Sequence, residues 1–263
     1  MKHVGRNKGV QIRAMYCAVL IVAVIALLVT SVPVQATKMD DRIESTARKS
    51  YVFKAYLKGD DIKIESKDGA VTLTGIVADN TQKSLAQETL ASLPGVKSVD
   101  NRLEIKGEPP TANSDAWLRD KVKSTLLFHR SVSTGTTTVE VKDGIVILRG
   151  VAASQAQKEL TTEYARDVEG VKDVINEMTV TKLSDKPQTV GQEIDDASIT
   201  AQVKVTLLYH RSTSAINTKV ETKRGVVTLY GKASSAAELS LATKLANDVN
   251  GVKGVNNRMV IGE

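Results

Sequence analysis

The order of hydrophobic and polar positions repeats three times along this chain, and each copy begins with a helical pattern. In the second copy, Leu118, Val122, Thr125 and Leu126 follow the i, i+4, i+7, i+8 spacing of one helix face. An aspartate or serine precedes the run, as is typical of a helix start. The corresponding positions of the third copy are Ile199, Val203, Thr206 and Leu207. The pattern therefore predicts an amphipathic helix at the start of each copy.

Two strands are predicted after this helix, because hydrophobic residues alternate with polar ones around an Asp-Gly or Arg-Gly pair. In the second copy, Val139 and Val141 precede Asp143-Gly144. Val146 and Leu148 follow it. An Asp-Gly pair between alternating runs indicates a β-hairpin. The second strand carries a further glycine on its buried side, where we expect the covering helix to approach closely. The turn and strand glycines are Gly69 and Gly75, Gly144 and Gly150, and Gly225 and Gly231.

A second helix and a last strand complete each copy. Leu160, Tyr164 and Val168 form an i, i+4, i+8 stripe in the second copy. A glycine then ends the helix, at Gly95, Gly170 or Gly251, and an alternating strand follows. A strand-helix-strand unit within one sheet implies a right-handed parallel crossover. The predicted fold class is therefore α+β, with three tandem small domains. Each is helix-strand-strand-helix-strand, with two helices packed on one face of a three-stranded mixed sheet.

Fixed spacing between marker residues defines the domain organisation. An aspartate precedes each turn glycine at one constant separation, and an asparagine follows it at another, without a gap in any copy. These markers are Asp40, Asp115 and Asp196, and Asn101, Asn176 and Asn257. We predict domains at residues 40–107, 114–182 and 195–262. The segments between them contain prolines and small polar residues and are interpreted as short connectors.

The motifs of each copy resemble those of a known family. In the second copy they are the Val146-x-Leu148-x-Gly150 strand, an alanine-bearing helix, and the segment from Gly170-Val171 to Asn176. This order resembles the BON domain, named after bacterial OsmY and nodulation proteins, and the exported tandem copies resemble the OsmY-type proteins of hyperosmotic stress. The resemblance implies a Gram-negative periplasmic location and non-enzymatic binding to phospholipid surfaces. Its alternative implication is a holdase-type chaperone or a module that binds envelope proteins.

Residues 1–36 lie outside the repeats and have the layout of a secretory signal peptide. Four basic residues precede an apolar run that starts at Ala14, and Val34-Gln35-Ala36 offers the small residues that a signal peptidase recognises. We predict cleavage after Ala36 and a periplasmic location. The alternative is a retained inner-membrane anchor, because the apolar segment from Ala14 to Val32 is just long enough to span a bilayer.

Charge and aromatic content give no reason to expect a nucleic acid partner. The formal net charge is +6, but the leader contributes four basic residues and no acidic ones, which leaves +2 for the mature chain. Aromatic residues form 3% of the chain, too few for a base-stacking platform. Gly251-Val252-Lys253-Gly254 matches the Gly-x-x-Gly loop of KH domains, but it lies between a helix and a strand.

The sequence predicts no catalytic, cofactor-binding or metal-binding residues. Cys17 belongs to the leader, and the two histidines that remain, His129 and His210, are far apart in the sequence and have no cysteine to accompany them. They do not form a metal ligand set. The glycines lie at turns and in strands, and no Gly-x-Ser-x-Gly motif occurs.

A His-Arg pair follows the first helix in two copies. The pairs are His129-Arg130 and His210-Arg211, whereas the first copy has Lys54 at the histidine position. Arginine matches a phosphate group with two parallel hydrogen bonds, which favours a phosphate site. The alternative is that the cations suit the negative end of their own helix. Both interpretations fit the sequence.

The only tryptophan marks a candidate membrane contact. Trp117 begins the first helix of the second copy with Arg119, Lys121 and Lys123, and Arg130 follows that helix. An indole beside basic residues suits a membrane interface. We therefore predict these five residues as the contact with an anionic phospholipid surface; the alternative is a tryptophan partly buried between domains. The first copy is more acidic at this point, with Asp40, Asp41 and Glu44.

Overall fold

A computed structural model describes most of the three repeats. It covers residues 34–107, 110–111, 114–132, 137–181, 193–213 and 218–262, with side chains from residue 38 onward. Residues 1–33 of the predicted signal peptide and 183–192 of the second connector lie outside the described residues. Among the helices of this described part, none has the length and apolar character needed to cross a bilayer.

The first repeat contains two consecutive helices, a hairpin, a third helix and a last strand. These are α1 (Val34–Lys49), α2 (Tyr51–Ala55), β1 (Asp61–Lys67), β2 (Ala70–Val77), α3 (Asn80–Ala91) and β3 (Ser98–Ile105). Ser50 separates α1 from α2, and its hydroxyl accepts a hydrogen bond from the Phe53 amide. Strand β2 lies in the centre of the sheet, antiparallel to β1 and parallel to β3.

The second and third repeats each begin with one helix and then follow the order of the first, with the last strand divided into two pieces. In the second repeat the middle strand is divided as well. The second contains α4 (Asp115–Phe128), β4 (Thr138–Lys142), β5 (Ile145–Arg149), β6 (Val151–Ala152), α5 (Gln155–Arg166), β7 (Asp173–Asn176) and β8 (Thr179–Val180). The third contains α6 (Asp196–Tyr209), β9 (Thr218–Lys223), β10 (Val226–Ala233), α7 (Ala236–Asp248), β11 (Gly254–Asn257) and β12 (Val260–Ile261). The middle strand again has one antiparallel and one parallel neighbour. The predicted α+β class, with a mixed three-stranded sheet in each repeat, is confirmed.

The hairpin turn explains the aspartate that precedes it at a constant separation. In the first repeat, Asp68 and Gly69 both have positive φ, 54° and 82°, as a type I′ turn requires. The Asp40 carboxylate accepts hydrogen bonds from both amides, at 2.8 and 3.0 Å. Asp115 and Asp196 hold the turns of the other repeats in the same way. The first helix is therefore fixed to the hairpin at the same point in every repeat.

The glycine of the second strand has a different purpose from the one expected. Gly75 has a φ of 126°, a conformation that residues with a side chain rarely adopt. A Cβ atom at this position would lie 1.8 Å from the carbonyl oxygen of Asp61 in β1. The expectation of a closely approaching helix was wrong, because the neighbouring strand occupies the space. Gly150 and Gly231 share the positive φ, at 132° and 129°.

The repeated asparagine ties the second helix to the last strand. The Asn101 amide nitrogen donates to the Lys83 carbonyl at 3.0 Å, and its side-chain oxygen accepts from the Leu103 amide at 3.2 Å. Asn176 and Asn257 form equivalent bonds. The fixed spacing of this marker thus reflects a side chain that must reach two elements at once.

Helix α6 belongs to two hydrophobic cores. Ile199 and Val203 pack within the third repeat, whereas Ala201 and Val205 pack into the core of the first. Eleven of its 14 residues are buried, among them the polar Ser198, Thr200, Gln202 and Thr206, because a repeat covers the helix on each of two sides. Helix α6 therefore contributes one side to the core of the first repeat and the other to the core of the third.

Candidate interaction surfaces

The predicted tryptophan site contains a buried cation. Trp117 lies in α4 and is half-buried against the core of the second repeat. The Lys121 ammonium lies 3.9 Å from the indole centroid and 5.2 Å from the ring centroid of Tyr209 in the third repeat. Lys121 is only 6% exposed, and its Nζ atom lies 3.5 Å from Glu169 Oε2. Burial lowers the pKa of Lys121, and Glu169 partly opposes that shift. Lys121 therefore faces another repeat instead of solvent.

The other predicted contact residues do not form one cluster. Arg119 pairs with Asp120 at 3.2 Å, and Lys123 is exposed. Arg130 points away from both and enters the third repeat. Of the four predicted cations, Arg119 and Lys123 are left at the surface of α4, but their i+2 and i+6 spacing from Trp117 places them on the opposite side of the helix.

Each arginine of the two His-Arg pairs caps a helix of the opposite repeat. The Arg130 guanidinium donates to three carbonyl oxygens at the end of α7, those of Asn247, Val249 (3.2 Å) and Val252 (2.8 Å). Arg211 donates to the carbonyls of Val168 and Val171 at the end of α5, at 3.4 and 3.2 Å. Carbonyls at a helix end lack intrahelical partners and carry the negative end of its dipole. The interpretation in which the cations serve their own helix was wrong, because their acceptors lie across the interface.

Backbone hydrogen bonds make this contact reciprocal. They join Arg130 N to Asp248 O (2.9 Å), Asn250 N to Phe128 O (2.9 Å), Arg211 N to Asp167 O (2.9 Å) and Glu169 N to Tyr209 O (3.1 Å). Each set forms a short antiparallel bridge, with His129 opposite Val249 and His210 opposite Val168. The second and third repeats thus bind each other through equivalent residues, as the halves of a two-fold dimer do.

His129 is enclosed by groups of both repeats. Its ring is stacked on Tyr164, with centroids 3.9 Å apart, and its Nδ1 atom lies 3.2 Å from Asp248 Oδ2. That distance suits an ion pair, although the two groups are not aligned for a hydrogen bond. Tyr164 and Ser131 also donate to the Asp248 carboxylate. Burial raises the pKa of Asp248, but its interactions with His129, Ser131 and Tyr164 outweigh burial and leave the pKa lowered.

A row of cations lies on the outer face of α1 and continues past α2. Lys38, Arg42 and Lys49 follow the i, i+4, i+11 spacing of one helix face, and Lys54 and Lys58 follow. All five are exposed. Among the residues that the structure describes, none of the five has an ion-pair partner. We call these five residues the basic row.

The sequence analysis missed the basic row because acidic residues are interleaved with it. Asp40 is turned onto the hairpin, where hydrogen bonds from Ser66 and then from the turn amides lower its pKa. Glu44 accepts from the Ser66 amide at 2.9 Å. Only Asp41 is left exposed beside the row. The helical spacing of the cations was the signal that could have revealed it.

Comparison with known proteins identifies the family of this chain. Osmotically-inducible protein Y of Escherichia coli is 30% identical over 196 residues, which cover 74% of this chain and 95% of that protein. An uncharacterised protein of Anaplasma centrale is 32% identical over 142 residues, 54% of this chain and 90% of its own. Outer membrane lipoprotein DolP of Haemophilus influenzae is 32% identical over 114 residues, 43% of this chain and 56% of its own. The BON domain sequence model matches residues 39–107, 114–182 and 195–263. The chain therefore belongs to the BON domain family.

Proposed function

We propose that this protein is a non-enzymatic protein of the bacterial envelope that binds anionic phospholipid surfaces during osmotic stress. The names of its relatives support this proposal, since one is called osmotically inducible and another an outer membrane lipoprotein. The described part of the chain contains no group of three or more His, Asp or Glu side chains that could hold a metal ion. The surface contacts of the repeats are therefore the candidates for its function.

The basic row is the observation that carries the proposal. Its five cations are exposed and unpaired within the described structure, so no acidic side chain must be displaced when they meet lipid phosphates. A basic residue near an anionic membrane contributes about 1 kcal/mol. Several acting together give weak, reversible attachment that salt screening reduces.

A charge-reversal experiment tests the row directly. The full chain is sedimented with vesicles of phosphatidylglycerol and phosphatidylcholine, and the variant Arg42→Glu with Lys49→Glu is compared with it. Loss of two favourable contacts alone predicts binding weaker by about 2 kcal/mol, or roughly 30-fold, and repulsion between the two new carboxylates and the lipid phosphates adds to this loss. The matched control is Lys244→Glu with Arg258→Glu, which changes the net charge equally at two exposed residues of the third repeat. Equal losses in both variants would contradict a specific role for the row.

The surface of α4 is a second candidate contact of the same function. Trp117 remains partly exposed there after Lys121 and Arg130 have been assigned to contacts between repeats. Arg119 and Lys123 follow it at i+2 and i+6 and therefore lie on the other side of the helix. Anionic vesicles should then shift Trp117 emission to shorter wavelength. An unchanged spectrum at saturating lipid, with sedimentation retained, would leave the basic row as the contact.

A holdase-type chaperone is the competing function. Val260 and Ile261 in the last strand are each 58% exposed, and Ile76 in the first repeat is 50% exposed. Exposed apolar side chains of this size suit unfolded clients. Suppression of client aggregation without lipid, together with no sedimentation with vesicles, would favour this function.

The envelope location rests on the predicted export signal. Mass spectrometry of the mature protein should place its N-terminus at Thr37, after cleavage at Ala36. An intact Met1 in the membrane fraction would instead support the anchored alternative.

A further inference from the structure

The contact between the second and third repeats contains both histidines of the described chain, in equivalent positions. His129 is 1% exposed and His210 is 8% exposed. Each takes part in one backbone bridge to the opposite repeat. Histidine is the side chain whose ordinary pKa lies nearest to neutral pH, so a change in proton concentration near neutrality can act at His210.

The two rings use their Nδ1 atoms in opposite ways. His129 directs Nδ1 at the Asp248 carboxylate, 3.2 Å away, and this nitrogen accepts no hydrogen bond from the described residues. His210 Nδ1 instead accepts a hydrogen bond from the backbone amide of Ser212 at 3.1 Å. A nitrogen that accepts this bond carries no proton, so its protonation must break the bond.

The loop that follows His210 is held by Thr213, whose amide donates to the His210 carbonyl (3.3 Å) and whose hydroxyl donates to the Leu207 carbonyl (2.6 Å). The bond from the Ser212 amide to the His210 ring adds to these two. Arg211 lies between these residues and donates both its backbone amide and its guanidinium to the end of α5. A shift of the segment would therefore disturb the bridge with Val168 and the cap of α5 together. The equivalent segment at His129 is held differently, because Ser131 donates to Asp248 instead.

We propose that His210 is an acid-sensitive latch, whose protonation at Nδ1 releases Ser212 and loosens the pairing of the second and third repeats. The segment that is released is Asp167–Gly170, which directly follows α5. His129 is not part of the latch, because its Nδ1 atom accepts no hydrogen bond from a backbone amide of the described residues.

The charges around His210 support the direction of this effect. Asp167 lies 3.5 Å from Nε2, while Arg211 and His129 are the cationic groups that face the ring. Burial lowers the pKa of His210, with Arg211 and His129 acting in the same direction, and Asp167 opposes them without cancelling the shift. The loosened state therefore binds a proton more readily than the paired state. Pairing is fully stable above the ordinary histidine pKa of about 6.5 and weakens as the pH falls below it.

Hydrogen exchange in the full chain separates the two bridges within one molecule. Protection of the Arg211 and Glu169 amides, corrected for the intrinsic pH dependence of exchange, should fall below a pH of about 6.5. The fall should be up to about tenfold per pH unit until the pKa of the folded state is passed. The Arg130 and Asn250 amides, in the bridge at His129, serve as the internal control and should keep their protection. Equal loss in both bridges, or no loss at Arg211, would overturn the proposal.

Two substitutions assign the effect to one ring. His210→Gln cannot titrate and should abolish the pH dependence at Arg211, whereas the matched variant His129→Gln should retain it. The opposite result would overturn the proposal. If His210→Gln fails to fold, the unsubstituted protein still decides the question by NMR of labelled histidine. A His210 ring protonated at Nε2 with a pKa below the ordinary histidine value supports the latch, and a pKa at or above that value refutes it.

Discussion

The backbone amide of Asn250 donates to the carbonyl oxygen of Phe128 at 2.9 Å and thereby joins the third repeat to the second. Glu169 forms the equivalent bond to Tyr209. The first repeat has Pro94 at this position, and proline has no N–H group to donate. The first repeat therefore lacks a bond that the reciprocal pairing requires.

The first repeat also lacks the arginine that caps the opposite helix. It has Lys54-Ala55 where the others have His-Arg. Instead it binds α6 of the third repeat, where the Val52 amide donates to the Ser198 hydroxyl at 3.0 Å and Lys204 pairs with Glu88 at 2.6 Å. Small differences between copies thus exclude the first repeat from the reciprocal pairing. It contacts α6 of the third repeat and, through the hydrogen bond from Ser124 to Thr81, the second repeat.

Asn250→Pro should weaken the pairing of the second and third repeats. Val249 already has φ −68° and ψ 140°, the extended conformation that a following proline favours. The main change is then the loss of one amide, which leaves the buried Phe128 carbonyl with a missing donor and costs about 1–3 kcal/mol. Chemical denaturation of the full chain measures this. Asn250→Ala keeps the amide and should be much milder; equal losses would show that the backbone bond is not the cause.

Gly75→Ala should be strongly destabilising. The new methyl group would lie 1.8 Å from the Asp61 carbonyl at a φ of 126°, so strain and overpacking each contribute about 1–3 kcal/mol. Gly254→Ala is the matched control, because no atom lies within 4 Å of its added Cβ. Thermal unfolding should separate the two variants, and similar melting temperatures would contradict the account of the strand glycine.

The parts of the fold that depend on local spacing could be predicted from the sequence. The Asp143-Gly144 pair predicted the turn, and the stripe of α4 predicted its buried face, because each rule involves residues close in the chain. The stripe of α5 was less accurate, since Leu160 and Tyr164 are half-buried and the buried residues are Thr161 and Ala165. The contacts between repeats could not be predicted in this way. Arg130 shows a cation after a helix, but its acceptors belong to a different repeat, far along the sequence.

Two residues show why burial between repeats could be predicted only in part. Lys121 has the spacing of an exposed residue on an isolated α4, and it is buried because Tyr209 of another repeat covers it. Ala201 carried the opposite signal. A small apolar residue on the second face of α6 indicates a helix that is buried on two sides, and the structure places it in the core of the first repeat.

Leu148→Ala should create a cavity in the core of the second repeat. Its side chain is fully buried in β5, so truncation should lower the free energy of unfolding by about 2–5 kcal/mol. Leu127→Ala in the same repeat removes the same atoms from a residue that is 38% exposed and should cost much less. Denaturant titration of both variants checks the strand register. An unchanged free energy of unfolding in Leu148→Ala would mean that the Leu148 side chain does not lie on the buried face of the sheet.

Ala201→Leu should separate the first repeat from the third. Ala201 is fully buried on the side of α6 that packs against the core of the first repeat. Additional methylene groups at such a position cost about 1–3 kcal/mol. Because Ile199 and Val203 pack on the other side of α6, the third repeat should keep its own core. Hydrogen exchange of the Val52 amide, which donates to Ser198, should therefore accelerate more than exchange in β10. The control is Ala156→Leu on the exposed face of α5, which should change neither rate. Equal acceleration of Val52 and β10 would instead show that α6 unfolds as a whole.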